Sequence, residues 1–248
     1  MVKTEKIILR GPKNKQAVCD IFIYEPENIE EASLGNLYIV GELTDEGDKS
    51  GHLVNLLSSL IKREYYCAPH KGPLDSLESS LKKVNITLNE LANQGNLEWL
   101  GKLNFVCAAL NKEQDLFLTQ SGNAQAFLCR EGQLASITKK LVPAPQKIHP
   151  NKTFQSIISG QVEKGDKIML TTPNLFRFFN LEGLGELLSL PKIEFISDQM
   201  NRVLREQKKP PSLGTLFLEM TPDEDFFPAQ DPDRQFITPP LSLEEILT

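Results

Sequence analysis

The sequence predicts an α+β domain in which helices cover antiparallel sheets. Three observations carry this reading: strand-like runs open the chain, two segments of helical period follow, and a series of short strands joined by turns comes next. The opening strands are expected at residues 6–10, 17–24 and 36–42, rich in Ile, Val, Phe and Tyr and separated by Gly, Pro and Asn.

The period then changes. Leu53, Leu56, Leu57, Leu60 and Ile61 fall at the spacing that lays one stripe along a helix, and Leu74, Leu77, Leu81, Val84, Leu88 and Leu91 do the same for a second. Asp75 and Glu78 suit an N-cap and its reciprocal N3 acid, and Gly95 suits the C′ position. Both helices are too apolar on one face to stand alone and should pack on a sheet. Four short strands follow at 103–110, 116–119, 124–130 and 133–138. Their connectors, at 111–115, Gly122-Asn123 and Glu131-Gly132, carry turn chemistry, the last two tight enough for hairpins, so an antiparallel meander is expected. A further strand is predicted at 154–159, a turn at Lys164-Gly165-Asp166, a strand at 167–171, two or three helices within 173–207, and a closing strand at 213–220.

Charge and composition narrow the function classes. Hydrophobic residues make up 40% and charged residues 24% of the 248, which fits a packed chain and excludes wholesale disorder. Residues 221–248 hold seven acids against one base, leaving 26 acids and 26 bases in the first 220 residues. A neutral body with an acidic, Pro-rich tail or linker offers no footprint for nucleic acid, which needs clustered Lys and Arg. No run approaches the roughly 18–20 apolar residues that span a bilayer, and no apolar core follows the first six residues, so a cytoplasmic chain is expected, without a membrane segment in it. Cys19, Cys67, Cys107 and Cys129 form no C-x-x-C pair and are read as reduced thiols. There is no G-x-S-x-G, P-loop or G-x-G-x-x-G, and His52, His70 and His149 lack a triad context.

Three blocks carry a resemblance. Phe105-Val106-Cys107-Ala108-Ala109-Leu110 is followed by the run from Leu116 through Gly122-Asn123 to Arg130-Glu131-Gly132. Lys164-Gly165-Asp166 leads into Ile168-Met169-Leu170 and Thr171-Thr172-Pro173-Asn174-Leu175-Phe176, and Ser212-Leu213-Gly214-Thr215 opens the last strand. In order and spacing, over residues 1–220, these resemble the metal-dependent protein phosphatases, the type 2C serine/threonine phosphatases and their bacterial relatives. The resemblance implies a four-layer α/β/β/α sandwich of two antiparallel sheets flanked by helices. It also implies a site for two Mg²⁺ or Mn²⁺ ions, whose charge several carboxylates must offset.

The family's ligand positions are altered here. Its first Asp-Gly falls on Glu42-Leu43, and its Gly-Gly-His on Ser50-Gly51-His52 after an acidic insertion holding Asp45, Glu46 and Asp48. The Asp of its Ser-Asp-Gly block becomes Pro173, with Asn174 for the glycine, and the Asp of its closing strand becomes Ser212. Glu42 and Asp20 are the candidate remnant metal ligands. Their plainer readings are a solvated turn residue and a strand-end acid. The expectation is a catalytically impaired, pseudophosphatase-like domain over 1–220 that needs no cofactor and serves as a binding or regulatory module for a protein partner, phosphorylated or not. The alternatives are an active divergent phosphatase using Mg²⁺ or Mn²⁺ and a structural tethering scaffold.

Overall fold

The computed structural model describes residues 1–11, 17–44, 50–140, 149–207 and 211–221. In chain order it contains β1 (Val2–Leu9), β2 (Ala17–Tyr24), β3 (Asn36–Thr44), α1 (Ser50–Tyr66), α2 (Pro73–Asn93), β4 (Leu103–Leu110), β5 (Asp115–Ser121), β6 (Gln125–Arg130) and β7 (Gln133–Ser136). These are followed by β8 (Ile158–Gln161), β9 (Lys167–Thr171), α3 (Leu181–Leu188), α4 (Ile193–Arg205) and β10 (Leu213–Met220). The acidic segment after Thr221 and the cluster of Asp45, Glu46 and Asp48 lie outside the described residues.

Two antiparallel sheets form, in the orders β2-β3-β4-β5-β8 and β1-β10-β9-β6-β7. Alternation along each strand divides the apolar residues into three layers. Tyr38 and Val40 of β3 meet Leu170 and Leu216 of the other sheet in the central layer. Leu37 and Ile39 instead face Val54, Leu57 and Ile61 of α1 and Leu77, Leu81, Val84 and Leu88 of α2. On the far side Met169 and Phe217 face Leu184 and Leu188 of α3 and Ile193, Ile196, Met200 and Leu204 of α4. The expected four-layer sandwich is therefore present.

Several elements differ locally from expectation. The first strand begins at Val2, because its ladder with β10 runs from Val2 opposite Met220 to Leu9 opposite Leu213. α2 starts at Pro73 with Gly72 as N-cap, displacing Asp75 into the first turn, where its charge still favours the helix N-terminus. Its far end follows the prediction: Gly95 (φ +87°) is C′, with Gly95 N–H donating to Ala92 O and Asn96 N–H to Leu91 O, a Schellman motif. Leu56 and Leu74 are exposed, and Val54 takes the buried place in the α1 stripe. The strand expected at 154–159 starts at Ile158; Phe154 is held before it by paired bonds between its backbone and the Asn85 side chain.

The expected meander is broken in the middle. Glu131-Gly132 does close a hairpin, with φ of +50° and +77° at its two central residues, as a type I′ turn requires. Gly122-Asn123 does not, because β5 and β6 belong to different sheets and this turn carries the chain between them. Gly122 (φ +67°) lies so close to the Leu103 carbonyl that a Cβ there would collide with it.

Two of the sequence blocks are joined across the second sheet. Arg130 grips the buried Asp166 with a two-pronged pair, Nε to Oδ1 at 2.9 Å and Nη2 to Oδ2 at 2.6 Å, and also reaches Glu163 Oε1 at 2.6 Å. Asp166 Oδ2 accepts from the Glu163 N–H as well, so the carboxylate is well supplied with donors. Arg130→Ala should lower unfolding free energy by roughly 2–4 kcal/mol in urea denaturation, since it strands a buried carboxylate. Arg130→Lys should restore only part, because an ammonium cannot reproduce the fork.

The sheets approach closely at one end. A Cβ at Gly214 would overlap Cys19 Sγ and sit 3.5 Å from Ile21 and Val40. Gly214→Ala is expected to cost about 1–3 kcal/mol by overpacking, and a second change, Cys19→Ala, to recover much of it in the same denaturation measurement.

Candidate functional site

The site is at the end of the sandwich where β3 finishes and β10 begins. Glu42 is in phase with Tyr38 and Val40, so the pleat turns its side chain into the space between the sheets, opposite Asn104 of β4 and Cys19 of β2. It is fully buried, which overturns its reading as a solvated turn residue. Asp20 is one residue out of phase with Cys19 and Ile21, so it shares the helix-facing side with Phe22 and Tyr24. Its Oδ1 accepts the adjacent Ile21 N–H at 2.9 Å. The two candidate ligands are thus neighbours in the sheet that face opposite ways, and Asp20 lies within β2, opposite Gly41, rather than at a strand end.

The other altered positions do converge on Glu42. After β9 the chain enters a short 3₁₀ turn over Pro173–Arg177, where Pro at its first position suits the fixed φ and missing donor. This turn directs Asn174 at Glu42: Nδ2 donates to Glu42 Oε1 at 2.9 Å and to the Ser212 carbonyl at 2.8 Å. Because the Ser212 carbonyl can only accept, the amide orientation is fixed by chemistry. The Ser212 hydroxyl accepts the Gly11 N–H at 3.0 Å, drawing in the end of β1. Thr172 and Gly214 exchange two bonds, and the hydroxyls of Thr171 and Thr215 meet at 2.8 Å, fastening β9 to the start of β10. Asn104 completes the floor, its Oδ1 accepting the Asn123 N–H at 2.9 Å and so anchoring the crossover between sheets.

Electrostatics follow from this burial. Glu42 has a carboxyl pushed up to about 7 by loss of water, with the polar side chains of Thr172 and Asn174 and the positive field of Arg177 opposing the rise. Oε2 of Glu42 is buried and has no hydrogen-bond partner among the described residues. Cys19, in register with it, has its thiol raised well above the ordinary value, first by burial and then by Glu42 and Asp20.

The described residues do not fit a pair of divalent ions. They place one inward carboxylate in the cleft and no group of three or more His, Cys, Asp or Glu side chains able to hold a metal. The atom that faces both Glu42 and the Ser212 carbonyl is a donor, whereas hard cations require oxygen acceptors there. Sequence reasoning gave Asn174 no role and passed over Asn104 and Thr172. The available signal was a polar residue interrupting an apolar run, as in Leu103-Asn104-Phe105.

Comparison of the whole structure with solved proteins gives a consistent result. An arginine-to-alanine variant of a bacterial serine phosphatase superposes with a TM-score of 0.68 at 14% identity, covering 90% of this chain and 99% of that one. The catalytic domain of the serine/threonine protein phosphatase PstP, in complex with two manganese ions, gives 0.59 at 13%, covering 89% and 99%. This chain has the type 2C phosphatase fold. PppA, described as a key regulatory component of T6SS in Pseudomonas aeruginosa, shares that fold at a TM-score of 0.64 and 14% identity, covering 88% of this chain and 97% of its own. No family model and no curated protein sequence matches the chain. Among the described residues no helix is long and apolar enough to cross a membrane.

The raised Glu42 carboxyl makes stability depend on pH in a definite direction. Between about pH 4.5 and 7 the unfolded chain loses this proton first, so the native state holds more protons and stability falls as pH rises. Glu42→Gln keeps an acceptor for Asn174 and removes the titration. In urea denaturation its advantage over wild type should be near zero at pH 4 and grow to roughly 3 kcal/mol by pH 8.

Proposed function

We propose that this chain is a catalytically impaired type 2C phosphatase-like domain working as a binding or regulatory module in the cytoplasm, with residues 221–248 as its acidic tail. The observation that carries the reading is the Asn174 amide bonded to Glu42, the one inward carboxylate at this end among the described residues, where the family resemblance calls for metal-binding acids. A two-metal phosphatase uses its ions to lower the pKa of a bridging water and to offset charge on the phosphoryl oxygens. Glu42 alone among the described residues does not supply the counter-charge for two such ions. The fold itself needs only apolar alternation and turn chemistry, so it survives changes at the site.

The expected partner is a protein, phosphorylated or not, and the regulatory role stated for PppA is in keeping with a domain of this fold acting on other proteins. The four cysteines are all free, three of them buried, in keeping with a reducing compartment.

The deciding assay is hydrolysis of a phosphoserine peptide and of a chromogenic phosphate ester with millimolar Mn²⁺ or Mg²⁺. The expected rate is indistinguishable from that of Glu42→Ala. Metal-dependent turnover lost in Glu42→Ala would replace this reading with that of an active, divergent phosphatase.

A further inference from the structure

The bond geometry around Asn174 says more than that acids are missing. One NH₂ group spends both its protons on a carboxylate oxygen of β3 and a backbone carbonyl just before β10, at 2.9 and 2.8 Å. Those are the two kinds of oxygen that a hard cation takes as ligands. A second observation is independent of the amide: Glu42 Oε2 is buried without a hydrogen-bond partner among the described residues, although the Thr172 side chain stands close enough to favour the charged carboxylate. Two neutral oxygens, the hydroxyls of Thr172 and Ser212, belong to the same end of the cleft, and each accepts a backbone N–H, from Gly214 and Gly11.

We propose that the Asn174 carboxamide is a built-in substitute for a cation, clasping β3 to the entry of β10, and that the cleft retains a latent site for one divalent ion which a carboxylate at position 174 would open. The inference rests on the impaired reading above and deepens it by naming the group that occupies the ion's place. In the wild-type chain the amide satisfies the oxygens that would otherwise repel one another, so the site end holds its shape without metal. With Asn174→Asp the donor becomes a second acceptor. Two carboxylates and the Ser212 carbonyl then face each other with at most one shared proton between them, which destabilises the metal-free protein until a divalent ion takes that proton's place.

Thermal unfolding of the full chain tests this, comparing wild type, Asn174→Asp and Asn174→Ala in EDTA and across a Mn²⁺ titration. Wild type should unfold at one midpoint in both media. Asn174→Ala should unfold lower and also ignore Mn²⁺. Asn174→Asp should unfold lower in EDTA and rise saturably with Mn²⁺, by about 4 °C or more once the ion exceeds its dissociation constant a hundredfold. Should that variant be unfolded in EDTA, recovery of its far-UV circular dichroism on adding Mn²⁺ reads the same site. An Asn174→Asp chain that neither shifts nor refolds at any Mn²⁺ concentration overturns the latent site and leaves the impaired reading standing. A wild-type midpoint that climbs with Mn²⁺ overturns both.

Discussion

Burying a carboxylate between two β-sheets is costly unless donors meet it, and the end of this sandwich is organised around that cost at Glu42. The pleat of β3 leaves no choice of direction: Tyr38 and Val40 belong in the central layer, so the residue two further on enters it too. The close contact of Gly214 with Cys19 keeps the two sheets together beside it. Glu42 therefore draws on the chain itself, and Asn174 answers from a turn that only the second sheet can supply. The same amide reaches the Ser212 carbonyl, and the Ser212 hydroxyl reaches Gly11, so one buried acid links the ends of β1, β3, β9 and β10.

The remainder of the fold is held by features remote from that acid. Helix pairs close both outer faces through apolar stripes, and the Arg130–Asp166 fork locks β6 to the turn before β9. Lys167, buried on the helix-facing side of β9, donates to the Leu188 carbonyl at the end of α3, where a cation suits the negative end of the helix. None of these contacts involves the cleft. This separation explains how a chain only 12–14% identical to solved phosphatases keeps their architecture.

Much of the secondary structure was legible because it rests on local rules. Gly95 could be read as a C′ residue and Glu131-Gly132 as a hairpin turn, since both need positive φ whatever surrounds them. Gly122-Asn123 has the same local chemistry and a different outcome: the turn leads into the other sheet, with Asn104 holding it there. Nothing within two residues distinguishes the cases. Asp20 is similar, since alternation shows that it and Cys19 face opposite ways but not which way is inward. That depends on which strand faces feed the central layer.

The sequence by itself determined most of the strands and helices, because periodicity and turn residues are properties of short segments, and the four-layer arrangement followed from the family resemblance. Only the tertiary structure decided that Glu42 is buried, that Asp20 turns away from it, and that Asn174 donates to it. Those outcomes depend on atoms from residues 42, 174 and 212 meeting across two sheets, and the energy of a buried charge is set by the neighbours that folding brings to it.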